Sequence, residues 1–246
     1  MFLSQLKLET RSREVRRDLG DVHEMHRTLL RAFGQVDGPA RASVGLLYRV
    51  ETDRQGVCVL AQSKERPAWG QLPPGYLGAP AETKEIERSL AALHDGMTLR
   101  FRLTANPTRK IDTKSGPNGE HRNGMRVELR KEEDQLAWLE RKGAVAGFRL
   151  VTVQVEGVTA GGREGTAPIE VRVTPGPKEH DASWAKAHGN RRPKGATVED
   201  GLTFGVARFE GRLEVTDAEA LRTAVMAGIG SGKAYGFGLL SLAPAG

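Results

Sequence analysis

The order of predicted elements in this 246-residue chain indicates an α+β fold made of two tandem ferredoxin-like (βαββαβ, RRM-like) domains. Three observations predict it. Strand-like alternation and helical stripes follow each other as strand, helix, strand, strand, helix, strand in the first half, and a similar order recurs in the second half. A polar, Gly- and Pro-containing stretch separates the halves. We therefore predict a first domain at 1–112, a linker or mobile loop at 113–123 and a second domain at 124–246.

The first predicted strand and the helix after it are indicated by two different periodicities. Residues 2–8 alternate between apolar and polar side chains, as in a strand with one buried face. Asp21 is a typical N-cap and Glu24 follows it three residues later, which predicts a helix start. Met25 and Leu29 fall at helical spacing and give this helix its buried stripe.

Four further elements complete the predicted first domain. Two strand-like runs joined by a polar turn predict a hairpin over residues 44–63, and a helical pattern follows at 82–93. Residues 99–104 alternate again, with Arg100 and Arg102 on the polar face. We expect this fourth strand to complete the first sheet and to present a basic surface.

The second half is predicted to contain strands at 125–130, 148–155, 169–173, 204–215 and 237–242, with helices at 131–142 and from Asp217. Between two of these strands lies a long basic segment, 174–201, that is poor in apolar residues. It is interpreted either as a β-hairpin arm that lies against a duplex or as a solvated insertion.

The stretch Gly228–Gly238 places glycine at nearly alternate positions, which leaves a bare ribbon of backbone N–H groups suited to an anionic partner. Lys233 adds a positive charge in its middle. A nucleotide P-loop is rejected because Ala227 and Ala234 stand where that motif needs Gly and Ser or Thr. The simpler interpretation, a glycine-rich turn before a last strand, stays open.

Composition restricts the partners and the class of protein. The net charge of +6 and a pI near 9.6 favour a polyanion as partner. No apolar run approaches the length of a membrane span, and the N-terminus is too polar for a signal peptide, so no membrane partner is expected. The single cysteine, Cys58, fits the cytoplasm. Only 5% of residues are aromatic, so backbone and shape recognition of a folded RNA is expected rather than base stacking on a sheet.

His26 is the candidate catalytic residue. It falls in the second turn of the predicted helix, beside Arg27, and off the buried stripe. Cleavage of RNA by its own 2′-hydroxyl needs a base and an acid, and a histidine can act as either near neutral pH. The simpler alternative is a half-buried histidine that only packs. His23, three residues earlier, permits a shared metal ion, but no third ligand is placed by the sequence and no metal is predicted.

The residues at 16–19 (RRDL) and 24–29 (EMHRTL) resemble the N-terminal motif of the CasE family, the CRISPR RNA-processing endoribonucleases of type I-E Cascade. Other segments are similar to the later landmarks of that family and occur in the same order. They are LRFRL at 99–103, ANPT at 105–108, Trp138-Leu139, Gly147-Phe148, FEGRL at 209–213 and the glycine-containing run 228–244. The resemblance extends from one end of the chain to the other.

The resemblance implies two ferredoxin-like domains that bind the repeat stem-loop of precursor CRISPR RNA and cut once at its 3′ side, without metal or other cofactor. It implies a 2′,3′-cyclic phosphate product, and an enzyme that stays on its RNA and joins the other Cascade subunits. The catalytic histidine of the family falls on His26. His23 stands where relatives carry tyrosine, so the second proton-transfer group is either His23 or a basic residue of the second domain. A non-catalytic CRISPR RNA-binding subunit of the same fold is the alternative.

The predicted RNA-binding residues are those with a basic side chain on the helix, strands or loops described above, or a bare backbone in the glycine stretch. They are Arg27, Arg100, Arg102, Arg172, Arg191, Arg192, Lys194, Gly230, Gly232 and Lys233.

Overall fold

The computed structural model describes residues 1–34, 43–110, 126–151, 171–175, 179–181 and 202–245. These residues form a mixed α/β fold in which the paired strands are antiparallel. The described helices are α1 Arg13–Gly20, α2 Val22–Leu30, α3 Glu87–Ala91, α4 Glu132–Val145 and α5 Ala218–Ala227. The described strands are β1 Phe2–Lys7, β2 Leu47–Asp53, β3 Gly56–Ser63, β4 Glu82–Glu85, β5 Thr98–Ala105, β6 Thr108–Lys110, β7 Arg126–Glu128, β8 Phe148–Leu150, β9 Val171–Pro175, β10 Glu179–Asp181, β11 Leu202–Phe204, β12 Ala207–Val215 and β13 Leu240–Pro244.

The first sheet has the strand order β2-β3-β1-β4. Its buried face and the helices α1 and α2 share one apolar core, in which Leu6, Met25, Leu29 and Val59 are almost completely buried. The alternation predicted for residues 2–8 is seen, because Ser4 and Leu6 are buried while Gln5 and Lys7 are exposed.

The second sheet has the order β13-β5-β12-β8. β8 pairs with one end of β12 and β9 with the other, so these two short strands share one edge. The helices α4 and α5 contribute Trp138, Leu139 and Leu221 to the core beneath this sheet, where they meet Leu103 and Phe209.

Two sequence predictions about these sheets are wrong. Residues 99–104 do not complete the first sheet, because β5 lies between β12 and β13 in the second. The edge of β1 is occupied instead by β4, although residues 82–85 were predicted to be the start of a helix. β5 is eight residues long and pairs along its whole length with β12, which buries more alternating apolar side chains than the short β1 edge can.

The predicted strand at 125–130 is present only as β7, which pairs with β6 in a separate two-stranded ribbon. The predicted linker 113–123, and most of the basic segment 174–201 with Arg191, Arg192 and Lys194, lie outside the described residues. Within the described part of the chain, none of the helices combines the length and apolar character that crossing a membrane requires.

Arg49 on β2 joins the two sheets. Its residue is only 2% exposed, and its guanidinium donates to the carbonyl oxygens of Leu239 (3.2 Å) and Arg102 (3.4 Å) and to the Ser241 hydroxyl (3.1 Å). Burial lowers the pKa of Arg49, but an arginine remains charged at neutral pH. The Glu51 carboxylate, 2.7 Å away, compensates this buried charge.

Candidate active site

The helix α2 carries His26 and begins at the predicted N-cap. The Asp21 carboxylate accepts a hydrogen bond from the backbone N–H of His23 (2.9 Å), which ties down the first turn. Glu24 does not close a capping box; it forms ion pairs with Arg27 and with Arg17 (3.5 Å). The prediction of a helix start at Asp21 is therefore confirmed, while Glu24 holds basic side chains on the outer face.

His26 is more buried than its spacing indicated. The residue is 8% exposed, although it was expected to lie off the buried stripe. The cause is Tyr48 of β2, whose ring stacks on the imidazole with 6.1 Å between ring centroids and 19° between planes. A helical wheel could not find this neighbour, because it comes from another strand.

The glycine stretch and α2 lie together, and Tyr48 connects them. Its hydroxyl is 3.0 Å from the carbonyl oxygen of Val22, in the first turn of α2, and 3.1 Å from that of Ala234, in the glycine stretch. The short 3-10 turn Lys233–Tyr235 also packs against α2. His26 and the stretch 228–238 therefore lie on the same side of the molecule.

The glycine stretch is a compact loop and not an extended ribbon. Its ends are joined by a hydrogen bond from the Ile229 N–H to the Gly238 carbonyl oxygen (2.9 Å), and Gly238 has a φ of 89°. A Cβ at Gly238 would lie 2.8 Å from the Ile229 carbonyl oxygen, so no other residue fits there without strain. A Cβ at Gly236 would lie 3.2 Å from the Tyr48 ring. Glycine at these two positions therefore allows the two ends of the loop to come together and the loop backbone to pack on the Tyr48 ring.

Lys233 and the other two predicted loop residues have defined local positions. The Lys233 ammonium donates to the carbonyl oxygen of Ala227 at 2.5 Å, and so it caps the C-terminal end of α5. Gly230 and Gly232 both have positive φ, and they lie against the rings of Trp138 and Phe237.

The predicted basic strand is largely neutralised by neighbouring carboxylates. Arg102 pairs with Glu51 (3.0 Å) and with Glu210 (2.8 Å). Partial burial alone would lower the pKa of Arg102, but these two carboxylates outweigh it and raise the pKa. Arg100 is exposed and donates from Nε to the Pro244 carbonyl oxygen (3.1 Å). Of the two, Arg100 is the better placed to contact an anion.

One other predicted basic position, Arg172, belongs to the second sheet. Arg172 lies in β9, in register with Glu210 of β12. The strands β10 and β11 pair with each other and flank the segment that contains Arg191, Arg192 and Lys194. β10 packs beside α2, the helix that carries His26.

A small cleft of about 80 Å³ opens beside this arrangement, lined by α1, α2, β2 and the glycine loop. Tyr48 and Gly236 form part of its wall. The buried Thr104 hydroxyl also lines it, and this oxygen has no hydrogen-bond partner among the described residues. Tyr235 stands at the same wall and packs on Phe204, with 4.5 Å between ring centroids.

A hydrogen-bond network around the buried Asp18 carboxylate holds α1 in the core of the first sheet. The Tyr76 hydroxyl donates to the Asp18 carboxylate (2.7 Å), which also pairs with Arg17 (2.6 Å). Burial and the hydrogen bond to Asp18 raise the pKa of Tyr76, so it stays a neutral donor.

Two functional features were missed by sequence reasoning. Tyr48 and Arg49 lie in the buried first part of β2, where Tyr48 stacks on His26 and Arg49 joins the two sheets. Side chains with polar ends need hydrogen-bond partners when they lie in a buried strand, and this requirement could have drawn attention to Tyr48 and Arg49 in the sequence.

His23 is half-buried, and its Nδ1 has no hydrogen-bond partner among the described residues. In that part of the chain, no three His, Cys, Asp or Glu side chains converge as metal ligands would.

The sequence matches a protein family described as CRISPR associated protein over residues 1–244. It is 34% identical to the CRISPR-associated endoribonuclease Cse3 of Thermus thermophilus over 246 residues, covering 99% of this chain and 100% of that protein. It is 30% identical to the Cascade subunit CasE of Escherichia coli over 228 residues, covering 91% and 92% of the two chains.

Solved structures agree with these sequence relatives. Cse3 bound to a 19-nucleotide RNA superposes with a TM-score of 0.73 at 34% identity, over 99% of this chain and 100% of that one. Cas6e of Escherichia coli superposes with a TM-score of 0.62 at 28% identity, again over 99% and 100%. The resemblance inferred from the motifs is thus confirmed along the whole chain, and this protein belongs to the CRISPR-associated family that includes Cse3 and CasE.

Proposed function

We propose that the protein is an endoribonuclease that binds the repeat stem-loop of precursor CRISPR RNA, cuts it at the 3′ side and keeps the product as a Cascade subunit. Its relatives support this: Cse3 is named an endoribonuclease, one of its structures represents a pre-cleavage complex with RNA, and CasE is named a Cascade subunit. Such a substrate and such partners place the protein in the cytoplasm.

The observation that carries the proposal is the position of His26 on α2, the helix that packs against the glycine loop. Its imidazole acts as the general base or acid while the 2′-oxygen attacks the adjacent phosphorus and the 5′-oxygen leaves. The base removes the proton of the 2′-hydroxyl, and the acid returns one to the departing 5′-oxygen, so that a cyclic phosphate and a free 5′-hydroxyl remain. No step in this scheme calls for a metal ion, and the chain's own residues supply the proton transfers.

The second proton-transfer group is His23 or a basic residue of the second domain. His23 lies in the first turn of α2, and its Nδ1, which has no hydrogen-bond partner among the described residues, can accept or donate a proton. The N-terminal end of this nine-residue helix also favours a phosphate close by. Arg27 and Arg100 are exposed and offer positive charge to the RNA backbone, as do Lys233 and the segment that contains Arg191, Arg192 and Lys194.

We further propose that both halves are ferredoxin-like domains, divided before β5 and not at 113–123. The first sheet follows β1, helices, β2, β3 and β4 with the spatial order 4-1-3-2. The second unit runs along the chain as β5, α4, β8 with β9, β12, α5 and β13. If these strands are counted from β5, with β8 and β9 together as the second, the spatial order is again 4-1-3-2. In the first unit a loop with a short 3-10 turn at Trp69–Gln71 replaces the second helix.

The alternative is a non-catalytic RNA-binding subunit of the same fold. The 8% exposure of His26 favours it, because substrate can reach little of that side chain. Incubating the protein with the repeat hairpin of its own CRISPR locus in EDTA separates the two. We expect a single cut, absent when the nucleotide 5′ to the scissile phosphate is 2′-deoxy. A shift in mobility without any cut would instead establish the alternative.

The matched pair of variants is His26→Ala and His94→Ala. His94 is an exposed histidine whose ring nitrogen lies 3.0 Å from the neighbouring Asp95 carbonyl oxygen, so its loss should leave cleavage unchanged. We expect His26→Ala to slow cleavage by about 10²–10⁴-fold while RNA affinity is retained. Cleavage by His26→Ala at the wild-type rate would refute the assignment of this residue.

A further inference from the structure

Tyr48 occupies the centre of the candidate active site, and the roles considered so far for catalysis do not include it. It is 1% exposed and lies on β2, which pairs with β3 along its length. Its hydroxyl meets two backbone carbonyls that belong to different parts of the molecule, Val22 in α2 and Ala234 in the glycine loop. One side chain therefore fixes the spacing between the helix and the loop.

The ring of Tyr48 makes two further contacts at the same place. One is the stacked imidazole of His26, and the other is the backbone of Gly236, where a Cβ would come within 3.2 Å of the ring. A buried aromatic ring is stiff, because only two side-chain torsions are free and both are blocked by packing. The imidazole therefore rests against a fixed surface.

The strand that carries Tyr48 is itself held in position. The next residue, Arg49, donates to Leu239 and Ser241 at the start of β13, directly after the glycine loop. Successive residues of a strand face opposite sides, so β2 secures the second sheet with Arg49 and the His26 region with Tyr48. Contacts with both sheets therefore fix the position of Tyr48.

We propose that Tyr48 is a positioning residue for the nuclease reaction: its ring orients the His26 imidazole and its hydroxyl sets the distance between α2 and the glycine loop. This inference rests on the proposed function. Tyr48 does not touch the reacting atoms, so its loss is expected to act through His26 and to change the rate of the chemical step more than the affinity for RNA.

The test uses the full-length protein, its repeat hairpin and single-turnover cleavage at saturating enzyme, with affinity measured separately on a 2′-deoxy hairpin that cannot be cut. Tyr48→Phe keeps the ring and removes the hydroxyl, and we expect cleavage to slow by about tenfold. Tyr48→Leu also removes the stacking surface, and we expect about 100-fold. In both variants the dissociation constant should stay within about twofold of wild type.

The matched control is Tyr76→Phe. Tyr76 is equally buried and its hydroxyl donates to Asp18 of α1, but among the described residues no hydrogen bond or ring contact joins it to His26 or the glycine loop. The Tyr76→Phe variant should lose as much thermal stability as Tyr48→Phe does, while its cleavage rate stays within about twofold of wild type. A cleavage loss in Tyr76→Phe equal to that in Tyr48→Phe would mean that general destabilisation is responsible, and the inference would be overturned.

A double-mutant comparison gives the sharpest readout. In the His26→Ala background, Tyr48→Phe should cause no further loss, because a positioning residue has nothing left to orient. An equal additional loss in that background, or weaker RNA binding with an unchanged rate at saturation, would overturn the inference. If the wild-type protein fails to cut any repeat hairpin, the proposed function fails first; if it cuts and Tyr48→Phe cuts equally fast, only the role of Tyr48 is refuted.

Discussion

Replacing Arg49 by methionine should destabilise the protein through the contact between its two sheets. Methionine keeps much of the length of the side chain and removes its donors. Three hydrogen bonds to the second sheet are lost, those to the Leu239 and Arg102 carbonyls and to the Ser241 hydroxyl. At about 1 kcal/mol for each bond, the free energy of unfolding should fall by about 3 kcal/mol.

The loss at Glu51 adds little to this figure. Its side chain is 28% exposed and keeps its ion pair with Arg102 at 3.0 Å, so it is not left as an isolated buried charge. For a chain of this size, about 3 kcal/mol corresponds to a decrease in Tm of about 6–12 °C. Both quantities are measurable, by urea titration and by a thermal melt followed by circular dichroism.

Arg100→Met is the matched control for this experiment. Arg100 lies on β5 but is exposed, and its side chain donates to the Pro244 carbonyl oxygen, the one such bond within the described part of the chain. Its loss should change the free energy of unfolding by less than about 0.5 kcal/mol. A loss below about 1 kcal/mol in Arg49→Met, or equal losses in the two variants, would refute the view that Arg49 joins the sheets.

Three further predictions use other contacts. Partial burial alone would raise the pKa of Glu51, but Arg49 and Arg102 lower this pKa overall. Glu51 therefore stabilises the fold above its unfolded pKa, near the ordinary 4.5, and this stabilisation is lost as pH falls below that value. Glu51→Gln should therefore flatten the acid side of the stability profile, and an unchanged profile would contradict this. Gly238→Ala should lower the free energy of unfolding by about 3 kcal/mol, because Gly238 has a φ of 89° and a Cβ there would clash with the Ile229 carbonyl oxygen. In the control Gly20→Ala the Cβ meets open space, so the free energy of unfolding measured by urea titration should not fall. Arg100→Ala should weaken binding of the hairpin and reduce the slope of log affinity against log salt by about 1; an unchanged slope would exclude a phosphate contact.

The local signals in the sequence predicted the features that depend on neighbouring residues. Asp21 caps α2 as expected, and Met25 and Leu29 face the core, because capping and helical periodicity involve only a few residues in a row. Alternation also located β5 correctly as a strand. It could not decide which sheet β5 joins, because an alternating strand fits either sheet and the choice depends on the length of the available partner.

The site itself was predicted only in part. His26 and the glycine stretch were singled out from residue type and spacing, but the side chain between them, Tyr48, comes from a third segment. Lys233 was expected to offer a positive charge to an anionic partner, and in the structure its ammonium donates to the Ala227 carbonyl oxygen at the end of α5. Such long-range partners cannot be found from periodicity, since they depend on how the two sheets meet.

The placement of β5 has a consequence for a protein cut within residues 113–123. The chain would then be in two pieces, and the N-terminal piece would retain β5, the strand that both β12 and β13 of the other piece require as their shared partner. The N-terminal fragment would hold a central strand of the sheet that the C-terminal fragment forms, so a nick there should leave a non-covalent pair that co-elutes on size exclusion. Separation of the fragments without denaturant would show that the C-terminal fragment depends on β5 less than the strand pairing indicates.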